Sequence, residues 1–176
     1  MKRLVVVVVL LLAVPCLTFG QAQAPKPGPE VQKLADFVGT WKSDGELKGG
    51  PWGPAGKISG TSTCEWFAGG FHVVCRVEST GPMGKMTELE IVGYDAESKV
   101  YTYYGINSLG GSDSATGSLA GNTWTWVWDG KADGKPARYR ITEMHVSPTS
   151  YTVRFEYSVT GGPWIVFEES KDTKVK

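Results

Sequence analysis

The chain is predicted to be all-β: about ten short antiparallel strands closing as an up-and-down barrel, with one short N-terminal helix. Three observations lead to the antiparallel strands. Turn formers are dense, with 23 Gly and 10 Pro among 176 residues. Aromatic residues are abundant, with 7 Trp, 7 Tyr and 6 Phe. Rings favour strands, as glycine and proline favour the turns between them. Apolar residues also alternate: Tyr151, Val153, Phe155, Tyr157 and Val159 take one side of a run whose other side is Thr152, Arg154, Glu156 and Ser158. No βαβ spacing or fixed-period repeat interrupts the pattern, so the meander either stacks as a sandwich or closes as a barrel. Only closure removes the sheet edges, and roughly eight to ten strands leave room for one small ligand.

In chain order, Pro25-Lys-Pro-Gly-Pro29 is an extended linker. Val31, Leu34, Phe37 and Val38 recur at helical spacing, which predicts an amphipathic helix over 30–38, ended by Gly39. Strands are expected over residues 40–47, 57–67, 71–79, 85–94, 99–106, 114–119, 123–128, 137–146, 151–159 and 164–169. The segment 129–134 reads as a polar hairpin loop. The barrel domain then spans 30–170, and the charged residues 171–176 are expected to fray.

The first 24 residues read as an export leader. Met1-Lys2-Arg3 is basic, and residues 4–17 form an apolar run of 14. A membrane span needs roughly 20 such residues, a leader core roughly 7–15. Cleavage is expected between Gly20 and Pro25, where Ala22-Gln23-Ala24 fits the small-x-small pattern. Cys16 follows Pro15, which is wrong for a lipidation site. The expected location is periplasmic or extracellular, without stable membrane insertion after cleavage.

The chain carries 18 Lys+Arg and 18 Asp+Glu, so its formal net charge is zero. That balance excludes long disorder and a nucleic-acid binder driven by bulk charge. Losing the leader removes Lys2 and Arg3 and no acid, so the mature chain is slightly acidic.

Only Cys64 and Cys75 follow the leader. They flank Ala68-Gly69-Gly70, and Gly-Gly is a hairpin signal. With Gly69 and Gly70 as the turn, residues whose numbers sum to 139 face each other, and the two cysteines do. Cross-strand separations suit a disulfide, and export supplies the oxidising compartment. The other reading is a pair of reduced, buried thiols.

Leu34-Ala-Asp-Phe-Val-Gly-Thr-Trp41, Glu65-Trp-Phe-Ala-Gly-Gly70 and Ile91-Val-Gly-Tyr-Asp95 with Tyr101 resemble the bacterial domain-of-unknown-function family numbered 1579. That family is lipocalin-like, a calycin barrel. The resemblance implies a lipocalin-like fold and places Trp41 as a structural plug at the closed end, beneath the helix. A neighbouring branch of barrels, the nitrobindins, holds haem through a histidine on a late strand. His145 lies on a late strand, but Glu143-Met-His-Val has no surrounding match, so no cofactor is expected.

Catalytic motifs are scarce. No nucleophile elbow or phosphate loop occurs, and His72 and His145 are far apart in sequence. No metal site is expected. The candidate ligand-binding residues are Trp66, Tyr103, Trp124, Trp126 and Tyr157 as rings, with Arg140 as a polar anchor for a small apolar or amphipathic ligand. Glu88 and Glu90 share one strand face, and Arg138 and Arg140 another. An inward placement of those faces opens a second reading, an enzyme with a carboxylate–Arg site inside the barrel. A third is a filled barrel acting through its surface in the envelope. The missing nucleophile favours binding over catalysis.

Overall fold

The computed structural model describes residues 25–175. The expected leader, with Cys16 in it, and Lys176 lie outside them. A single helical turn, α1 (Pro29–Gln32), passes into a 3-10 turn over Lys33–Asp36. This is shorter and tighter than the amphipathic helix predicted over 30–38. The tighter winding has three residues per turn, so Val31, Leu34 and Phe37 fall on one face. Backbone N–H groups of Phe37 and Val38 bond back to Leu34 and Ala35 at 3.1 Å each. All three apolar side chains are buried, Leu34 completely. Gly39, at φ +137°, turns the chain out of this plug and into the first strand.

Ten strands follow: β1 (Gly39–Leu47), β2 (Gly56–Trp66), β3 (Val73–Gly81), β4 (Gly84–Asp95), β5 (Val100–Asn107), β6 (Ser112–Ala120), β7 (Thr123–Ala132), β8 (Lys135–Ser147), β9 (Ser150–Val159) and β10 (Ile165–Lys174). Each pairs antiparallel with its chain neighbours, and β1 pairs with β10 to close the barrel. The predicted architecture is the observed one.

Two expectations are corrected. The charged C-terminus does not fray: β10 runs to Lys174 and pairs with β1 from Trp41↔Lys174 to Leu47↔Glu168. Closure needs those residues, and Asp172 is buried inside. The segment 129–134 is not a loop either. Strands β7 and β8 extend to Ala132↔Lys135, leaving Asp133-Gly134 as a tight turn with φ +49° and +75°. Two consecutive positive φ values are the geometry such a hairpin turn demands.

The cysteine hairpin keeps its predicted register. Cys64 faces Cys75 in the β2–β3 ladder and is disulfide-bonded to it, with a Cα separation of 4.0 Å. The turn is wider than two residues. Trp66 and Val73 are the last paired residues, and Phe67 N–H bonds to the His72 carbonyl beyond them.

The interior has three layers. At the helix end, the plug packs on Trp124, Tyr101, Val73 and the disulfide. Trp41 is completely buried and donates its indole N–H to the Phe37 carbonyl at 2.7 Å. At the other end, Trp52 from the β1–β2 loop sits among Tyr139, Phe155, Tyr157 and Phe167 at centroid distances of 5.0–5.7 Å. The layer between them is polar.

Candidate functional site

Inward positions on β4, β8 and β10 bring five carboxyl groups into the middle layer. Glu88 and Glu90 come from β4, Glu143 from β8, and Glu168 and Asp172 from β10. A bulge between Val166 and Glu168 shifts the β10 parity, so Glu168 pairs with inward Phe155. Among the described residues, none of the five pairs with a lysine or arginine.

Neutral donors and rings hold them instead. The Tyr103 hydroxyl lies 3.1 Å from Glu90 Oε1 and 3.2 Å from Glu88 Oε1. It has one proton, so it donates to one carboxyl and can accept from the other. The Trp126 indole donates to Glu143 Oε2 at 2.8 Å. The Ser43 hydroxyl reaches Asp172 at 3.4 Å. Two glycines make room: a Cβ at Gly105 would stand 2.5 Å from the Tyr103 hydroxyl, and one at Gly117 would stand 2.3 Å from the Trp126 ring.

Burial without a cation favours the neutral acid. It pushes Glu90 up to about 8, helped by the charges of Glu88 and Glu143. Glu143 rises to about 7, again through burial, against the opposing bond from Trp126. Asp172 rises to about 7 for the same reason, against the bond from Ser43. Glu88 and Glu168 are also raised by burial. Tyr103 is held protonated by burial and by its acidic neighbours.

A cavity of about 60 Å³ opens beside Glu90 and Glu143. Phe37 borders it from the plug, and Tyr103, Trp126 and Trp128 supply aromatic walls. Val92, Ile141 and Cys75 complete it. On this scale one water needs roughly 10–15 Å³, so the cavity holds a handful.

The wall beside the cavity is parted. The β6–β7 ladder runs from Ala120↔Thr123 only to Thr116↔Val127, although both strands continue. Beyond that pair lies a cleft of about 240 Å³, bordered by Ser114, Ala115 and Thr116 on one side and Trp128, Asp129 and Arg138 on the other. The Trp128 indole crosses the gap to donate to Asp113 at 3.0 Å. Trp128 therefore borders both the outer cleft and the inner cavity.

Of the residues singled out in the sequence, Tyr103 and Trp126 line the cavity. Trp124 and Trp66 belong to the helix-end layer, where Trp124 stacks on Trp126 and donates to Asp36 at 3.3 Å. Tyr157 belongs to the opposite layer. Arg140 is on the outer wall. It is bonded to Glu156 at 2.7 and 3.0 Å and lies 4.3 Å over the Trp164 ring. Its neighbours Tyr139 and Ile141 point inward, so strand parity turns Arg138 and Arg140 outward together, and the expected inward carboxylate–Arg site does not form. His145 stacks on Tyr151 at 4.9 Å beneath the plug and borders neither void. Glu143, Trp128 and Ile141 were not singled out, although Trp128 shares its face with Trp126 and Glu143 its face with Ile141.

Among solved structures, the S-type phycobiliprotein lyase CpeS from Guillardia theta is similar in fold. It has 12% identity and a TM-score of 0.51, over 82% of this chain and 92% of that one. The protein Rv2717c from M. tuberculosis aligns over 86% of this chain and all of its own, with 11% identity and a TM-score of 0.59. Identities this low speak for the barrel alone. No curated protein matches the chain in sequence. The family model described as "Protein of unknown function (DUF1579)" matches residues 26–173, which is nearly the whole described barrel, and the chain belongs to that family.

Proposed function

We propose that this barrel is an exported carrier or sensor that binds one small amphipathic molecule in its interior. The cavity that pairs aromatic walls with two half-buried carboxyls is the observation that carries the reading. Apolar walls with a few convergent polar groups are the ordinary make-up of a small-molecule site. Tyr103, Trp126, Trp128 and Ile141 receive the apolar body, and Glu90 and Glu143 receive the polar end. Arg140 has no part in it. The barrel's likeness to a phycobiliprotein lyase is compatible with this reading through the fold only.

Export is supported by the Cys64–Cys75 disulfide, which persists in oxidising compartments. Among the described residues, no helix is long and apolar enough to cross a membrane. The leader-like residues 1–24 supply the address.

Mass spectrometry of the protein made with its own first 24 residues tests both parts. A mass lacking those residues and two further hydrogens is the result expected for export with the disulfide formed. An added mass under native conditions, lost on denaturation, is expected for a bound ligand. A full-length mass with free thiols overturns export. A bare barrel that also takes up nothing from a small-molecule extract overturns binding.

A further inference from the structure

We propose that the cavity is a site for a small organic cation, an ammonium group on a flat apolar body, admitted through the parted wall between β6 and β7. The inference rests on the binding reading above and names the class of ligand. The first observation is charge. Glu90 and Glu143 border the cavity, with Glu88, Glu168 and Asp172 behind them on β4 and β10. The other titratable groups facing this layer are Tyr103 on β5, Tyr151 on β9, Asp113 on β6 and His145 on β8, whose imidazole burial holds toward the neutral form. His145 is the one base among them, and it borders neither the cavity nor the cleft. Once these carboxyls are ionised, an anion meets only repulsion there and a neutral molecule leaves their charge uncompensated. A cation satisfies them, and the ring faces of Tyr103, Trp126 and Trp128 attract it as well.

The second observation is independent of charge: the wall is open beside the cavity. Four residue pairs that would continue the β6–β7 ladder do not form. The cleft left there is four times the volume of the inner cavity, 240 against 60 Å³. The geometry divides the ligand accordingly, with the ammonium head inside and the flat body in the cleft against Trp128. The outer lip carries Asp113, which already engages Trp128. Among the described residues, no three metal-ligating side chains converge. The acids are spread around a space rather than focused on a point, which suits an organic head group better than a metal ion.

Binding moves protons. Burial raises Glu90 to about 8 and Glu143 to about 7, so near pH 7 both hold a substantial share of protons. A cation beside them favours the carboxylate, so uptake releases protons, and affinity rises from pH 6 to pH 8.

The test is calorimetry with three probes sharing one body: phenethylammonium, 2-phenylethanol and phenylacetate. The expected result is saturable binding of the ammonium, at least tenfold tighter than the alcohol, with no binding of the carboxylate. Repeating it in buffers of different ionisation enthalpy should show proton release. Glu90→Gln and Glu143→Gln, both near-isosteric, should each weaken the ammonium at least tenfold and leave the alcohol unchanged. The wild-type comparison does not depend on either variant folding. If the alcohol or the carboxylate binds as well as the ammonium, the cation class is overturned while binding stands. If none binds at millimolar concentration, both readings fall. Linking Ser114→Cys to Asp129→Cys with a bis-maleimide closes the parted wall. Ammonium association should then slow at least tenfold, and an unchanged rate overturns the route.

Discussion

The Trp126 indole donates to Glu143 Oε2 at 2.8 Å, and among the described residues no lysine or arginine pairs with that carboxyl. This neutral bond opposes the rise that burial imposes on Glu143. Trp126→Phe removes the donor and keeps a ring. We expect the Glu143 titration, followed by carboxyl-carbon NMR, to move above its value of about 7. The stability cost should be about 1–3 kcal/mol at pH 8, where the carboxylate needs the bond, and smaller at pH 5.

The acid layer sets a pH profile of stability. Glu90, Glu143 and Asp172 titrate at about 8, 7 and 7 in the folded chain, against roughly 4 in the unfolded one. The folded state therefore holds extra protons between those limits. Its advantage is complete below about pH 4 and is lost as pH rises through 7 to 8. Urea midpoints should fall steadily between pH 5 and pH 9. Glu143→Gln should flatten that slope. An acid layer without effect on folding would show equal slopes in both proteins.

Trp41 is tested by two substitutions. Trp41→Ala empties a completely buried site and should cost about 3–5 kcal/mol in chemical denaturation. Trp41→Phe keeps most of the ring but drops the 2.7 Å bond to the Phe37 carbonyl. Its cost should be smaller, with up to about 3 kcal/mol coming from the orphaned acceptor.

Gly117 makes room for an indole. Gly117→Ala puts a Cβ 2.3 Å from the Trp126 ring, so the ring must shift. We expect a loss of about 1–3 kcal/mol and a changed near-ultraviolet circular dichroism signal. A variant as stable as the parent would show that the indole has slack.

Reducing the disulfide should leave the barrel folded. Cys64 and Cys75 already face each other in a ladder whose register runs from Ser59↔Thr80 to Trp66↔Val73. The bond closes a short ring, for which chain entropy gives about 2–3 kcal/mol. Thermal unfolding with and without reductant reads the difference.

Much of the fold was legible because strand alternation is local. Tyr151 to Val159, Trp124 to Trp128 and the Cys64–Cys75 register each declare a face within a few residues. The far end of the C-terminal strand, residues 170–174, was not legible for a physical reason. Glu168, Ser170 and Asp172 point inward, but they are polar, and a charged run of alternating character reads as a solvated tail. The bulge at Val166/Glu168 breaks the parity just before it. Arg140 was misplaced through its own residue type. An arginine on an aromatic-rich strand suggests an anchor, whereas inward Tyr139 and Ile141 on either side assign it to the outer wall. The cavity itself was beyond reach, because it forms from residues of β3, β4, β5, β7, β8 and the plug, and no single segment signals it.

Closure by β1 and β10 also dictates when the molecule can finish folding. Trp41 and Lys174 meet across almost the entire chain, so the joining ladder is the longest-range pairing in the barrel. Local hairpins can form early, but that last pairing carries the largest loop-closure cost and makes slow folding the expectation. Until it forms, the sheet has two raw edges, each able to pair with another chain. A chain without β10 would stay in that state. Strand β10 is thus the latch of the barrel: a chain lacking it is a candidate for aggregation or proteolysis, not a smaller barrel.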